Sequence, residues 1–125
     1  MKISLTSVIV NNPLEAFKFY TEVLGFTQRM FMPEANLAIV ASPEEPNSTG
    51  LLLEPNDNPA SNAFQQALHQ QGLPVIVFGV DDAQKEYERL KKLGVEFLSE
   101  PTKTDWGTIA VFDDSCGNYI QIHQV

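Results

Sequence analysis

One structural pattern is written twice in this chain. Residues 8–26 read VIVNNPLEAFKFYTEVLGF, and residues 78–97 read FGVDDAQKEYERLKKLGVEF. Each copy runs from a short apolar strand through an Asn or Asp pair into an amphipathic helix, then Leu-Gly and a further strand. Two strand-like runs follow each copy: NLAIVAS and TGLLLEP in the first half, TDWGTIAVFDD and GNYIQIHQV in the second. The order predicts α+β architecture in two βαβββ halves. A lone four-stranded unit would leave one face of its sheet bare. Two such units packed side by side can form a curved, eight-stranded mixed surface with a concave face.

Local signals place the elements. Residues 3–10 predict the first strand. Asn12 and Pro13 supply a cap and a first helical residue, with Glu15 in the first turn. Leu14, Phe17, Tyr20 and Leu24 recur at helical spacing and predict a buried stripe, closed by Gly25. Residues 26–32, 36–42 and 50–54 predict three strands. The run EPNDNPAS marks the link between halves. Residues 60–71 predict a helix whose apolar face is Phe64, Ala67 and Leu68. Residues 74–80 predict the fifth strand. Asp82 caps a helix with Ala83, Tyr87 and Leu90 on one face and an i,i+4 pair of Glu88 with Lys92. Residues 95–98, 104–112 and 118–124 predict the last three strands, with a tight turn over 113–118. The expected organisation is one domain: a first module over 1–54, a linker and helix over 55–73, and a second module over 74–125.

Composition bounds the function. The formal charge is −8, which repels phosphate backbones and anionic membrane surfaces, so neither nucleic acid nor membrane is an expected partner. Cationic or neutral small molecules are compatible with that charge. The single Cys116 rules out an internal disulfide and fits a reducing compartment. No long apolar run and no leader-like segment is read, so a cytoplasmic location is expected. No GxGxxG or phosphate-loop run is present.

The stretches AFKFYTEVLGF, LLLEP, VFGVDDAQKEYERLKKLGVEFLSEP and WGTIAVFDDSCGNYIQI span nearly the whole chain. Together they resemble the vicinal oxygen chelate superfamily, which includes glyoxalase I, bleomycin-resistance proteins and extradiol dioxygenases. The resemblance implies paired βαβββ modules, a homodimer, and a pocket in each cupped sheet. It does not by itself imply a reaction.

Metal-dependent members of that superfamily place four ligands on four strands. Carried over one by one, the first falls on Leu5, five residues before Val10, and the second on Glu54, which ends LLLE. The third falls on Val75, five residues before Val80, and the last on Gln121, four after Gly117. Leu5 and Val75 differ by 70 positions, as do Val10 and Val80, and Glu54 and Gln121 are read as ending matching strands. Leu and Val cannot ligate a metal, Gln is a weak neutral donor, and a lone Glu54 does not hold a divalent ion firmly. No cofactor is therefore expected, and Glu54 is only a weak candidate ligand.

Other residues invite chemistry. Glu54 shares a strand face with Leu52, so its carboxylate is expected in partly apolar surroundings, as a base or as a partner for a cation. Tyr119, Gln121 and His123 alternate along one strand and face one side. Gln121 suits hydrogen bonds to a ligand, and His123 is a lone imidazole near the chain end. Trp106, at the head of a long strand, reads as a pocket rim. Met30, Phe31 and Met32 suit a pocket, a core or an interface. His69 reads as a solvated surface residue, and Cys116 as part of a structural turn.

Two functions from different classes remain. One is a metal-free small-molecule binder whose pocket includes Leu5, Glu54, Val75, Trp106, Tyr119, Gln121 and His123, for a cationic or aromatic ligand. The other is a glyoxalase- or dioxygenase-type metalloenzyme with a non-standard centre at Glu54, Gln121 and His123. Whether the chain catalyses a reaction stays open at this level.

Overall fold

The computed structural model describes all 125 residues. The order is β1 (Leu5–Val10), α1 (Pro13–Lys18), β2 (Thr27–Met32), β3 (Leu37–Ala41), β4 (Gly50–Pro55), α2 (Pro59–Gln70), β5 (Pro74–Gly79), α3 (Ala83–Lys92), β6 (Phe97–Thr104), β7 (Gly107–Asp113) and β8 (Tyr119–Gln124). The eight strands divide between two four-stranded mixed sheets, ordered β1-β4-β3-β2 and β5-β8-β7-β6. This is the doubled βαβββ order that the repeat predicts. Two compact units, Met1–Phe64 and Gln65–Val125, divide within α2. No helix is long and apolar enough to cross a membrane.

In the first unit, strand alternation decides what is covered. Val8, Val10, Ala38, Val40, Leu51 and Leu53 are buried and share one face by their ladder partners. Helix α1 packs on that face. Its buried residues are Pro13 and Ala16, continued by Tyr20 in the next turn. The stripe expected at Leu14, Phe17 and Leu24 is only half-buried. Small Ala16 lets the backbone approach the sheet, and Phe17 instead stacks on Phe31 at 4.3 Å between ring centroids. Phe31 therefore lies on the helix side of β2.

Both expected caps form. Asn12 Oδ1 accepts from the backbone N–H of Leu14 and Glu15 at 3.0 and 3.2 Å. Asp82 Oδ1 accepts from Lys85 N–H at 3.0 Å. The two caps have nearly identical backbone angles, φ −146° with ψ 108° and φ −146° with ψ 103°. Each helical passage ends before a glycine with φ near +90°, Gly25 and Gly94, a conformation that disfavours any residue with a Cβ.

Between these landmarks the two copies differ by one residue. Asn12 to Gly25 is thirteen positions, whereas Asp82 to Gly94 is twelve. The extra residue is taken up by a π-turn over Phe19–Val23, with Leu24 N–H donating to Phe19 O at 3.1 Å. Neither cap nor glycine is displaced.

In the second unit, Ala110, Phe112, Ile120 and Ile122 are buried with Ala83 and Leu90 of α3. Gln124 Oε1 accepts from Ala83 N–H at 2.8 Å, which ties the start of α3 to the end of β8. Tyr87 meets Phe97 edge-on at 4.6 Å. On the outer side of α3, Glu86 pairs with Arg89. The expected partner of Lys92, Glu88, instead accepts from Gln84 Nε2 at 3.2 Å.

Helix α2 departs from its expected apolar face. Phe64 is 58% exposed, Ala67 is exposed and Leu68 is half-buried. The buried residue is Gln65, which donates through Nε2 to Cys116 O at 3.1 Å. What lies beneath Gln65 is a polar turn, and burying it requires hydrogen bonds rather than methyl groups. That turn is organised by fully buried Asp114. Its Oδ1 accepts from the N–H of Cys116 and Asn118 at 2.8 and 3.0 Å, and its Oδ2 from Asn118 Nδ2 at 3.0 Å. The Cys116 side chain is 6% exposed, in keeping with the structural part expected of it.

Replacing Asp114 with Ala removes an acceptor shared by three donors in a buried site. We expect a loss of about 3 kcal/mol, with Asp114→Asn losing less, since each orphaned donor costs about 1–3 kcal/mol. Urea midpoints at constant slope measure it; a change within experimental error would show that the turn does not depend on this carboxylate.

Candidate functional site

The face of the first sheet opposite α1 is set by ladder register. Leu5 pairs with Gly50, Ser7 with Leu52 and Ile9 with Glu54. Ile39 pairs with Leu52, and Met30 with Ile39. The side chains of Leu5, Ile9, Met30, Ile39, Leu52 and Glu54 therefore share this second face. Leu5 is 46% and Met30 41% exposed. Glu54 is half-buried. Its carboxylate has no hydrogen-bond or ion-pair partner within its own unit.

Leu5 and Glu54 lie on the same face but not side by side. Gly50, the partner of Leu5, is four residues before Glu54, a separation of about 13 Å along the strand at roughly 3.3 Å per residue. The residues of β4 nearest to Leu5 on this face are Gly50 and then Leu52. The assumed match of Glu54 with Gln121 is corrected in the same way. Ile9 and Gly79 are equivalent, 70 positions apart, and they face Glu54 and His123 respectively. Ser7 and Val77 face Leu52 and Gln121. The counterpart of Glu54 is thus His123, and that of Gln121 is Leu52. Gln121 does not end its strand: β8 runs on to Gln124, which puts His123 level with Glu54.

Arg29 belongs to the first unit's open face and was not anticipated. The β2–β3 register shifts between Gln28 and Met30, which leaves Arg29 as the extra residue of a bulge. Its Nη2 donates to Pro46 O and, at 2.6 Å, to Ser48 O, holding the loop before β4. Its Nη1 lies over Gly50, where an added Cβ would stand 2.7 Å away, with Ile39 and Leu5 methyl groups at 3.0 and 3.2 Å. The signal in the sequence was the glycine that opens the apolar run GLLLEP; nothing local announced the bulge.

On the second sheet, Val77, Val111 and Gln121 are ladder neighbours, as are Gly79, Ile109 and His123. Tyr119, Gln121 and His123 share a face, as expected, with Asp113 beside Tyr119. Val75 is half-buried in the stretch where the β5 register slips between Pro74 and Val77. Gln121 is half-buried and has no side-chain partner within its unit. Tyr119 is already engaged: His69 stacks flat on it at 4.5 Å, with 1° between planes. His69 Nε2 also stands 3.5 Å from Asp113 Oδ2. His69 is therefore half-buried against the sheet, not the solvated residue expected, because the last turn of α2 lies across this corner.

His123 is engaged as well. Its Nε2 lies 2.8 Å from Trp106 O. A carbonyl only accepts, so Nε2 carries the proton, and Nδ1 is the remaining nitrogen. Trp106 sits in the turn before β7 rather than in a strand, with 84% of its surface exposed. The turn is held by Thr104 Oγ1, which donates to Gly107 O at 2.7 Å and accepts from Trp106 N–H at 3.1 Å. No group of three or more His, Cys, Asp or Glu side chains is placed to hold a metal ion.

On each sheet, the face away from the helix of its own module carries apolar side chains with a few polar ones. The chain belongs to the Glyoxalase/Bleomycin resistance protein/Dioxygenase superfamily, whose family model matches residues 2–122. It is 49% identical over 126 residues to the uncharacterized protein YurT of Bacillus subtilis (strain 168), with 99% of each chain covered. It is 33% identical to YetH of the same organism, covering 94% of this chain and 92% of YetH. Among solved structures it is similar to UcmS2, with TM-score 0.83, 30% identity, and coverage of 100% of this chain and 98% of that one. It is also similar to TnmS3, an antibiotic binding protein from Streptomyces sp. CB03234, with TM-score 0.77, 28% identity, and coverage of 99% and 95%.

Gly107 is the tightest point of the second unit's open corner. It has φ +133°, and an added Cβ would lie 2.2 Å from Gln124 O and 2.8 Å from His123 Nε2. We expect Gly107→Ala to destabilise by about 2–3 kcal/mol through backbone strain and overpacking. Thermal unfolding followed by circular dichroism measures this; an unchanged midpoint would mean that the turn tolerates the displacement.

Proposed function

We propose that the protein binds a small apolar or aromatic molecule carrying a cationic group, with Glu54 as the polar anchor on the open face of the first sheet. The observation that carries this reading is the state of Glu54. A half-buried carboxylate beside Leu52 and Ile9, without a partner in its unit, gains more from a cation than an exposed one does. The net charge of −8 raises the local concentration of cations. Leu5, Ile39 and Met30 supply apolar surface on the same face. Gln121, on the second sheet, offers a donor and an acceptor that no neighbour in its unit uses. The similarity to an antibiotic binding protein over nearly the whole chain supports a small-molecule ligand.

A glyoxalase- or dioxygenase-type centre finds less support. It would call on Glu54, Gln121 and His123, of which Gln121 is only a weak neutral donor, so fewer than three firm ligands are offered. The homodimer implied by the resemblance is part of the binding reading, and light scattering measures it.

Isothermal calorimetry against a panel of aromatic compounds, each with and without an ammonium group, tests the proposal. The ammonium-bearing members are expected to bind more tightly. Glu54→Gln is expected to weaken them about tenfold and leave the neutral members unchanged, which is about 1.4 kcal/mol. Absence of binding across the panel, or a stoichiometric divalent metal in protein purified without chelator, would defeat this reading.

A further inference from the structure

We propose that Arg29 forms a second, anionic-group subsite on the same face, so that the ligand is an elongated amphoteric molecule: a carboxylate at Arg29, an apolar body, and a cation at Glu54. This rests on the binding function proposed above and narrows its ligand class. Three observations support it independently of the relatives. The β2 bulge places Arg29 as the unpaired residue of its strand and turns its side chain across Ile39 to β4. Gly50 provides the room, since any Cβ there would meet Nη1 at 2.7 Å, within the range that real Cβ atoms do not show. Finally, Nη2 is fixed by two carbonyls, Pro46 O and Ser48 O, while Nη1, over Gly50, has no acceptor.

A guanidinium held in this way is preorganised. Its loop contacts orient the plane, and Nη1, in a half-buried side chain, keeps donors for a charge-assisted hydrogen bond to a carboxylate. Arg29 acts over Gly50, and Glu54 lies four residues further along β4, about 13 Å away. Between them lie Leu52 and Ile39 with Ser7 of β1, and Ile9 stands beside Glu54. The two charges are too far apart to pair with each other directly. Each can instead meet the opposite charge at one end of a single ligand, and the spacing selects length.

A fluoroquinolone such as ciprofloxacin is a suitable probe, because its carboxylate and its piperazine ammonium stand at opposite ends of a fused aromatic core. Calorimetric titrations would compare it with its methyl ester, which lacks the carboxylate, and its N-acetyl derivative, which lacks the ammonium. The proteins would be the unaltered chain, Arg29→Lys, Arg29→Gln and Glu54→Gln. The expected result is about a tenfold loss on esterification in the unaltered chain, a smaller loss in Arg29→Lys, and none in Arg29→Gln. Glu54→Gln should remain sensitive to esterification and lose sensitivity to N-acetylation. Equal binding of acid and ester by the unaltered chain would overturn the Arg29 subsite while leaving the Glu54 reading intact. Equal weakening of all three compounds by Arg29→Gln would also overturn it, by assigning Arg29 to the loop alone. If none of the three compounds and no member of the aromatic panel binds, both readings fall together.

Discussion

Each sheet of this protein has two faces, and the helix of its own module packs across only one of them. Strand alternation makes that unequal supply decisive. In the first unit, Val8, Val10, Leu51 and Leu53 are withdrawn under α1, and every other residue of those strands is turned the opposite way. The apolar residues left on the second face, Leu5 and Met30 among them, keep a large part of their surface exposed. Apolar area left in water forgoes about 25 cal/mol per Å², so a face built this way is at a thermodynamic disadvantage until something covers it. The ligand function proposed for the protein follows from that disadvantage.

The second unit solves a different problem. Its helix linkage rests on a polar corner: Gln65 against the Cys116 carbonyl, Asp114 gathering three donors, and His69 laid flat on Tyr119. Burying polar groups is tolerable only when nearly all are matched, and a matched set admits very few alternative dockings. Tyr119 and His123, which looked like free site residues, are drawn into this corner and its neighbouring turn. Gln121 between them keeps its side chain available, which leaves a narrower set of ligand contacts on that sheet than alternation alone implies.

Much of the fold was legible in the chain because its signals are short-range. Asn12 and Asp82 cap helices, Gly25 and Gly94 take positive φ, and the apolar runs become strands in the predicted order. Face assignment within a strand, such as Glu54 with Leu52, needs only a period of two. What escaped depends on partners distant in sequence. The bulge at Arg29 is a mismatch between two strands and has no signature in either alone. The buried side of α2 is defined by the turn it meets, so Gln65 rather than Phe64 is buried. The pairing of Glu54 with Gln121 failed by one step of the alternation, since it took both as strand ends, whereas β8 runs three residues past Gln121 to Gln124.

The one-residue difference between the helical passages has a consequence of its own. Helices and strands differ sharply in how they receive an additional residue. In a strand, one more position would turn every later side chain through the sheet, exchanging interior for exterior. In a helix, a single widened loop of backbone absorbs the surplus and the chain resumes on its former course. The widening over Phe19–Val23 leaves β4 in step with β8, Ile9 facing Glu54 as Gly79 faces His123. Duplicated architectures of this kind can therefore drift in length at their helices while their sheets stay in phase, and an honest superposition of the halves must change its offset there.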